Sequence, residues 1–306
     1  MGPESEPETR PLEPDDAPGT ARLDPDAPTP STLDEPEVRP GRPLKIAIAA
    51  GLTLAALAIG TLILGSGPFF VLAAMMVLIA QGEFYLAARK GGHAPATALG
   101  LMAGAVLLFG AYFRGETAVA LVLFLTALFA FVWYLAGDLT RPVFSSVAIT
   151  MLGVAYPPLL GVFAALILRR PDDGRGIMLA MIGAAAIYDV LAYAGGSRFG
   201  RRALAPTISP RKTAEGAAVA SIGVLMLGTL LAPLLGPWSF PQAFVFSALI
   251  CLGAPVGDLV ESLIKRDLGI KDMGGLIPGH GGSLDRLDGI LFCAPAAYFS
   301  LVIFGI

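Results

Sequence analysis

Charge is what this chain of 306 residues has least of: Asp, Glu, Lys and Arg together make up 15% of it, and the mean hydropathy is +0.71. Hydrophobic residues account for 55%, and the 37 glycines bring the apolar share to about two thirds, against roughly 45–50% for soluble globular domains counted the same way. A soluble fold around one core is thereby excluded. Cysteine is nearly missing too. Cys251 and Cys293 both lie in apolar runs, where a thiol behaves as a small buried hydrophobe, so neither a disulfide framework nor a cysteine-held metal is expected. Nowhere does the pattern GxxxxGK[ST] occur, which excludes a P-loop nucleotide site. The apolar runs are continuous and do not alternate, which argues against a membrane β-barrel.

What charge there is lies unevenly. Residues 1–43 hold 11 acidic residues, 4 basic ones and 11 of the 25 prolines, a net charge of −7. The remaining chain holds 13 acidic and 17 basic residues. The first stretch has too few apolar residues to offset its ordering entropy, so 1–43 is expected to be a disordered, acidic, Pro-rich cytoplasmic tail, either a solvated extension or a docking arm. No basic, apolar and small-residue sequence of the signal-peptide kind precedes Leu44, and the first apolar run is expected to remain as an anchor. The body, 44–306, is expected to be one membrane-embedded domain.

Crossing about 30 Å of hydrocarbon takes about 20 helical residues, and the body divides into nine runs near that length: 44–65, 69–88, 94–112, 117–137, 142–168, 176–196, 216–236, 240–262 and 288–306. The fold expected is an all-α integral membrane protein, a polytopic bundle of about nine transmembrane helices, with 142–168 tilted or bent at Tyr156-Pro157-Pro158. Lys and Arg asymmetry sets the orientation. An inside N-terminus gathers Arg39, Arg42, Lys45, Arg89, Lys90 and Arg141, and the basic residues of the two longest loops, 197–215 and 263–287, on one face. Arg169, Arg170 and Arg175 dissent. The two long loops then share the cytoplasmic side, where nucleotides are available.

Few ionisable residues remain within the apolar runs: Glu83, Asp189, Asp258 and Glu261. A carboxylate at bilayer depth costs about 2.5–3.5 kcal/mol even on insertion scales, so each is a candidate functional residue. Glu83, standing alone, is read equally well as a helix–helix hydrogen bond. Asp258, Glu261 and Lys265 fall on one helical stripe. The loop that follows, 267–288, contains six glycines, His280, Lys271, Arg286, Asp285 and Asp288. Glycines admit phosphates to the backbone, cations neutralise them and paired carboxylates hold a bridging divalent cation. That chemistry suits a nucleoside triphosphate. A second polar segment joins Asp189 and Tyr193, one turn apart, to the donor-rich turn Ser209-Pro210-Arg211-Lys212-Thr213, read as an anion or nucleotide contact.

The run Ser262-Leu263-Ile264-Lys265-Arg266, Lys271-Asp272, Pro278-Gly279-His280-Gly281-Gly282 and Asp285-Arg286-Leu287-Asp288 resembles the signature of phosphatidate cytidylyltransferases, also called CDP-diacylglycerol synthases. Asp189, Tyr193, Phe199-Gly200 and the 209–213 turn are similar to that family's, and the resemblance covers roughly 44–306. Two departures stand out: Ser283 replaces a usual aliphatic residue, and Arg211 replaces the first of two usual lysines. The resemblance implies transfer of a cytidylyl group from CTP to phosphatidate, with Mg2+ as cofactor, two ions per site, held by Asp258 and Asp285; a monovalent cation such as K+ is compatible with it. Lys265, Lys271 and Arg286 are expected to clamp phosphates, and His280 to donate to the pyrophosphate. Glu261 and Asp288 are expected to support the metal ligands. Ser209, Arg211, Lys212 and Thr213, with Arg266, Gly281 and Gly282, are expected around the substrates, and Asp189 to orient a cation there. The partners expected are CTP, phosphatidate and membrane lipids, with a homodimer allowed and no nucleic acid. The location implied is a bacterial plasma membrane with the active site cytoplasmic. Two alternatives stay open, a CTP-dependent enzyme acting on a polyprenyl lipid and a transporter; the latter usually shows internal repeats, which are not apparent here.

Overall fold

The computed structural model describes residues 44–137, 142–274 and 281–306, with side chains from Gly51 onward. The acidic segment 1–43, Arg141 and His280 lie outside the described residues. Among the described residues ten helices follow in order: α1 (Leu44–Leu64), α2 (Ser66–Lys90), α3 (Thr97–Arg114), α4 (Glu116–Leu135), α5 (Val143–Ala155), α6 (Pro157–Leu168), α7 (Gly174–Phe199), α8 (Ala214–Leu235), α9 (Phe240–Asp267) and α10 (Leu284–Phe304). Eight spans among the described residues are long and apolar enough to cross a membrane, α5 and α6 counting as one, and the apolar stretch Gly51–Leu64 of α1 precedes them. The chain is an all-α polytopic membrane protein, as its apolar runs imply.

The fifth run is bent. α5 stops at Ala155 and α6 starts at Pro157, with Tyr156 between them at φ −80° and ψ −77°. Proline has no N–H to continue the α5 ladder and disfavours helical geometry in the residue before it. The break leaves the Tyr156 ring against Phe84 and Phe292. Other boundaries carry familiar signals: Ser239 and Gln242 form a capping box at the start of α9, and Thr213 Oγ1 accepts from Gly216 N–H at 3.2 Å at the start of α8.

Between α7 and α8 the segment read from sequence as a compact turn is a two-stranded antiparallel hairpin, β1 (Ala203–Ala205) and β2 (Ser209–Thr213). Glu215 anchors it: its Oε2 accepts from the backbone N–H groups of Arg201 and Arg202 at 3.0 and 3.1 Å.

Lipid tails are as apolar as leucine, so burial alone does not drive these helices together; close packing does. Gly253 and Gly257, four residues apart on α9, face the backbone of α10: a Cβ on Gly253 would sit 2.8 Å from the Phe292 carbonyl oxygen, and one on Gly257 2.9 Å from the Asp288 carbonyl carbon. α9 and α10 therefore touch backbone to backbone beside Asp258 and Asp288. By contrast α4 buries only Thr126 and Ala130 while Phe124, Phe129, Phe131 and Trp133 are exposed, the pattern of a helix facing lipid. Polar bonds add specificity in the interior: Gln81 Nε2 donates to the Gly100 carbonyl at 2.8 Å and the Tyr85 hydroxyl to the Thr150 carbonyl at 2.7 Å.

Candidate active site at one end of the bundle

A cavity of about 700 Å³ opens where the ends of α7, α9 and α10 meet the hairpin. Asp189, Tyr193 and Ser197 come from α7; Ser209, Arg211, Lys212 and Thr213 from β2; Asp258, Glu261, Ser262 and Lys265 from α9; and Asp285, Arg286 and Asp288 from α10. The two polar segments, about seventy residues apart in sequence, thus line one chamber. Its volume falls within the roughly 300–1,000 Å³ usual for small-molecule sites.

The ionic side chains form a connected chain in which two lysines flank three neighbouring carboxylates. Lys212 Nζ lies 2.6 Å from Asp258 Oδ2, tying the hairpin to α9. Asp288 is the carboxylate neighbour of both Asp258 and Glu261, and its Oδ1 accepts from Gly289 N–H at 2.8 Å. Lys265 Nζ then bridges Glu261 Oε2 at 2.8 Å and Asp285 Oδ1 at 2.5 Å. Glu261 is buried, and its Oε1 has no hydrogen-bond partner among the described residues.

Asp285 is the most heavily held of these groups. Besides Lys265, it accepts from Gly282 N–H at 2.7 Å and Met273 N–H at 3.3 Å, so it holds Met273 and Gly282 together as a neck. Gly281 stands at φ +82° within this turn, a left-handed conformation suited to glycine. Ser283, the departure from the family pattern, donates its hydroxyl to the Met76 carbonyl at 2.9 Å and so ties α10 to α2. The substitution is satisfied in place.

Other residues named from sequence fall outside the cavity lining. Lys271 is exposed while its neighbour Asp272 lines the cavity. Arg266 donates through Nε to the Ile208 carbonyl at 3.3 Å, bracing the hairpin from α9. Gly281 and Gly282 lie against Asp285, and Gly282 N–H donates to it. Thr213 lines the cavity, but its hydroxyl already caps α8. Sequence reasoning had Tyr193 in the second polar segment, which the lining agrees with, but gave no role to Ser262, Ser197 and Asp272 and left out the Gly253/Gly257 seam that sets the α9–α10 spacing. The seam had a legible signal, the GxxxG spacing.

These features define a class: an integral membrane protein that gathers carboxylates, lysines and arginines into one chamber at the end of its helices. Comparison with known proteins narrows it. The chain belongs to the cytidylyltransferase family, whose model matches residues 45–304. It is 35% identical over 296 residues to the phosphatidate cytidylyltransferase of Mycobacterium leprae, spanning 89% of this chain and 91% of that protein. A phosphatidate cytidylyltransferase of Synechocystis sp. is 31% identical over 280 residues, 81% of this chain and 93% of that protein. That of Thermotoga maritima is 34% identical over 201 residues, 63% of this chain and 72% of that protein.

Proposed function

We propose that this protein is a nucleotidyltransferase of phospholipid biosynthesis, transferring the cytidylyl group of CTP to phosphatidate to give CDP-diacylglycerol and pyrophosphate. The observation that carries the reading is the shared chamber, in which cations that neutralise phosphates and carboxylates that hold metal lie at the end of a membrane bundle, where a lipid headgroup and a nucleotide meet. A phosphate oxygen of phosphatidate attacks the α-phosphorus of CTP, and the bond to the β-phosphate oxygen breaks. Such a reaction needs alignment and charge neutralisation more than covalent help from the protein.

The lining supports a metal requirement on electrostatic grounds. Asp189, Asp258, Glu261, Asp272, Asp285 and Asp288 face Arg211, Lys212, Lys265 and Arg286, six acids against four cationic groups, while both substrates are anions. Among the described residues no three His, Cys, Asp or Glu side chains converge tightly enough to hold a metal alone. That suits Mg2+, which takes one or two carboxylates and completes its shell with phosphates and water. Asp258 and Asp285 would hold it, Glu261 Oε1 offering a further buried acceptor. When bound, the pair of ions would offset charge on the attacking and leaving oxygens. Lys212 and Lys265 neutralise phosphate, and Arg286 and Arg211 flank it. Asp189 orients a cation at the α7 wall, Asp288 fixes the spacing of Asp258 and Glu261, and Ser209 donates to the nucleotide or lipid phosphate. Lys271 and Arg266 act from outside the lining, and His280 donates to pyrophosphate. A K+ ion is compatible with the same acidic lining.

The chamber faces the cytoplasm in this reading, and the catalytic unit is 44–306, whether one copy or a homodimer. The test is purified protein with labelled CTP, Mg2+ and a panel of phosphatidate and polyprenyl acceptors. CDP-lipid formation and pyrophosphate release with phosphatidate are expected, with deletion of 1–43 leaving turnover nearly unchanged. Product on polyprenyl acceptors alone would overturn the reading.

A further inference from the structure

Glu83 lies outside the chamber, yet it engages the start of α10, the turn that carries Asp285. It sits two turns from the end of α2 and is 8% exposed. Its Oε2 accepts from Leu284 N–H, the first residue of α10, at 3.0 Å. Its carboxyl group also fills the space against two glycines on opposite sides of the loop neck. A Cβ on Gly282 would lie 2.5 Å from Glu83 Oε2, and one on Gly274 2.5 Å from the Glu83 carboxyl carbon. Those same two sides are tied by Asp285, through Met273 N–H and Gly282 N–H. Ser283 Oγ to Met76 O adds a second link between α2 and the start of α10.

We propose that Glu83 is a positioning residue for the transfer reaction: it wedges the neck where Met273 and Gly274 meet Gly282, caps α10, and so fixes where Asp285 points. The inference rests on the reading of Asp285 as a metal-holding group. An acceptor is needed because the first N–H groups of a helix have no partner within it. A carboxylate is favoured there because the positive end of the helix macrodipole faces it. With the acceptor gone, Asp285 alone closes the neck, and a displacement of about 1 Å at a reacting centre costs up to about a hundredfold in rate.

The experiment compares wild type with Glu83→Met, which removes the acceptor at similar volume, and Glu83→Gln, which keeps a carbonyl oxygen for Leu284 N–H. Each is purified in one detergent and assayed with CTP, Mg2+ and phosphatidate, and amide exchange is followed in the 281–287 segment. Glu83→Met is expected to lower kcat by about tenfold or more with the KM for CTP within about twofold. Its 281–287 amides are expected to exchange faster. Glu83→Gln is expected to recover at least about a third of the lost turnover and the protection. If Glu83→Met does not insert, Glu83→Asp, which retracts the acceptor by one methylene, is read on the same scale. Wild-type kcat in the variant lacking the tie, or a loss that glutamine does not rescue, overturns the proposal. Should wild type itself form no CDP-lipid, the functional reading fails, and the exchange comparison still decides whether Glu83 holds α10.

Discussion

Both ends of the bundle carry charged side chains, and they use them in opposite ways. At the end away from the chamber, charges are taken up in closing the structure. Arg170 grips Asp173 through Nε and Nη2 at 2.7 and 2.8 Å and donates through Nη1 to the Ile306 carbonyl at 3.2 Å. Arg175 donates to the Ile63 carbonyl at 3.4 Å, and the Tyr298 hydroxyl donates to Glu116. Carbonyls at helix C-termini have no intrahelical partner and favour cations. At the chamber end, lysines and carboxylates are shared around an open cavity, Lys265 between two carboxylates and Lys212 on a third. The comparison explains why Arg170 and Arg175 break the loop-charge asymmetry: they serve α10 and α1, and their position follows from capping.

The sharpest way to break this contrast is to remove charge from the chamber. Asp258→Asn and Asp285→Asn are each expected to lower Mg2+-dependent CDP-lipid formation by about a hundredfold or more, while the protein still inserts and elutes as a single species. Retention of more than about a twentieth of the activity by either would sink the assignment of that residue, since removing one well-placed charge-stabilising group costs at least about a hundredfold elsewhere. Among the lysines the ranking follows connectivity. Lys265 bridges two carboxylates and its side chain is 16% exposed, whereas Lys212 meets one and is 34% exposed. Lys265→Met is therefore expected to lose turnover and stability together, because it strands Glu261 and Asp285, while Lys212→Met loses turnover with the smaller fall in Tm.

Next in size is the helix seam. Gly257→Ala is expected to push Asp288 and Gly289 away from α9, costing about 1–3 kcal/mol of stability by overpacking and, since Asp258 adjoins the seam, most of the turnover. Gly253→Ala strains the same interface one turn further from the chamber. Comparable Tm loss with clearly higher residual activity is expected there, and equal inactivation by both would show that helix separation alone, not the carboxylate geometry, limits the reaction.

Much of this was legible in the chain. Continuous apolar runs give the spans because only helices satisfy their own backbone in lipid, and Pro157-Pro158 marked the bend. The chamber was legible because a carboxylate or lysine set among apolar residues is costly at membrane depth unless it meets a partner or a ligand. Three features were harder to read. The 203–213 hairpin carries little apolar alternation and is held by Glu215 from the next helix. Lys271 shares the loop's composition with the lining residues yet points outward, a matter of side-chain direction that spacing does not encode. Glu83 stood alone because its partner, the Leu284 N–H, lies 201 residues away.

The smallest expected effect lies at the far end. Arg170 holds the Asp173 carboxyl below its ordinary value near 3.8, mainly through the paired hydrogen bonds. A carboxylate depressed on folding adds stability that is fully present above its unfolded value and disappears as pH falls through the lower folded one. The two side chains are 34% and 22% exposed, so solvent screening limits the pair to about 0.2–1 kcal/mol. Asp173→Asn is expected to lower Tm slightly at neutral pH, with the difference from wild type shrinking as pH falls below the ordinary aspartate value, and to leave turnover unchanged. A pH-independent Tm difference would assign the effect to packing. A loss of turnover approaching that of Asp258→Asn would end the separation of the two ends, because it would mean that closure of α10 at Ile306 reaches Asp285 along the 21 residues of that helix.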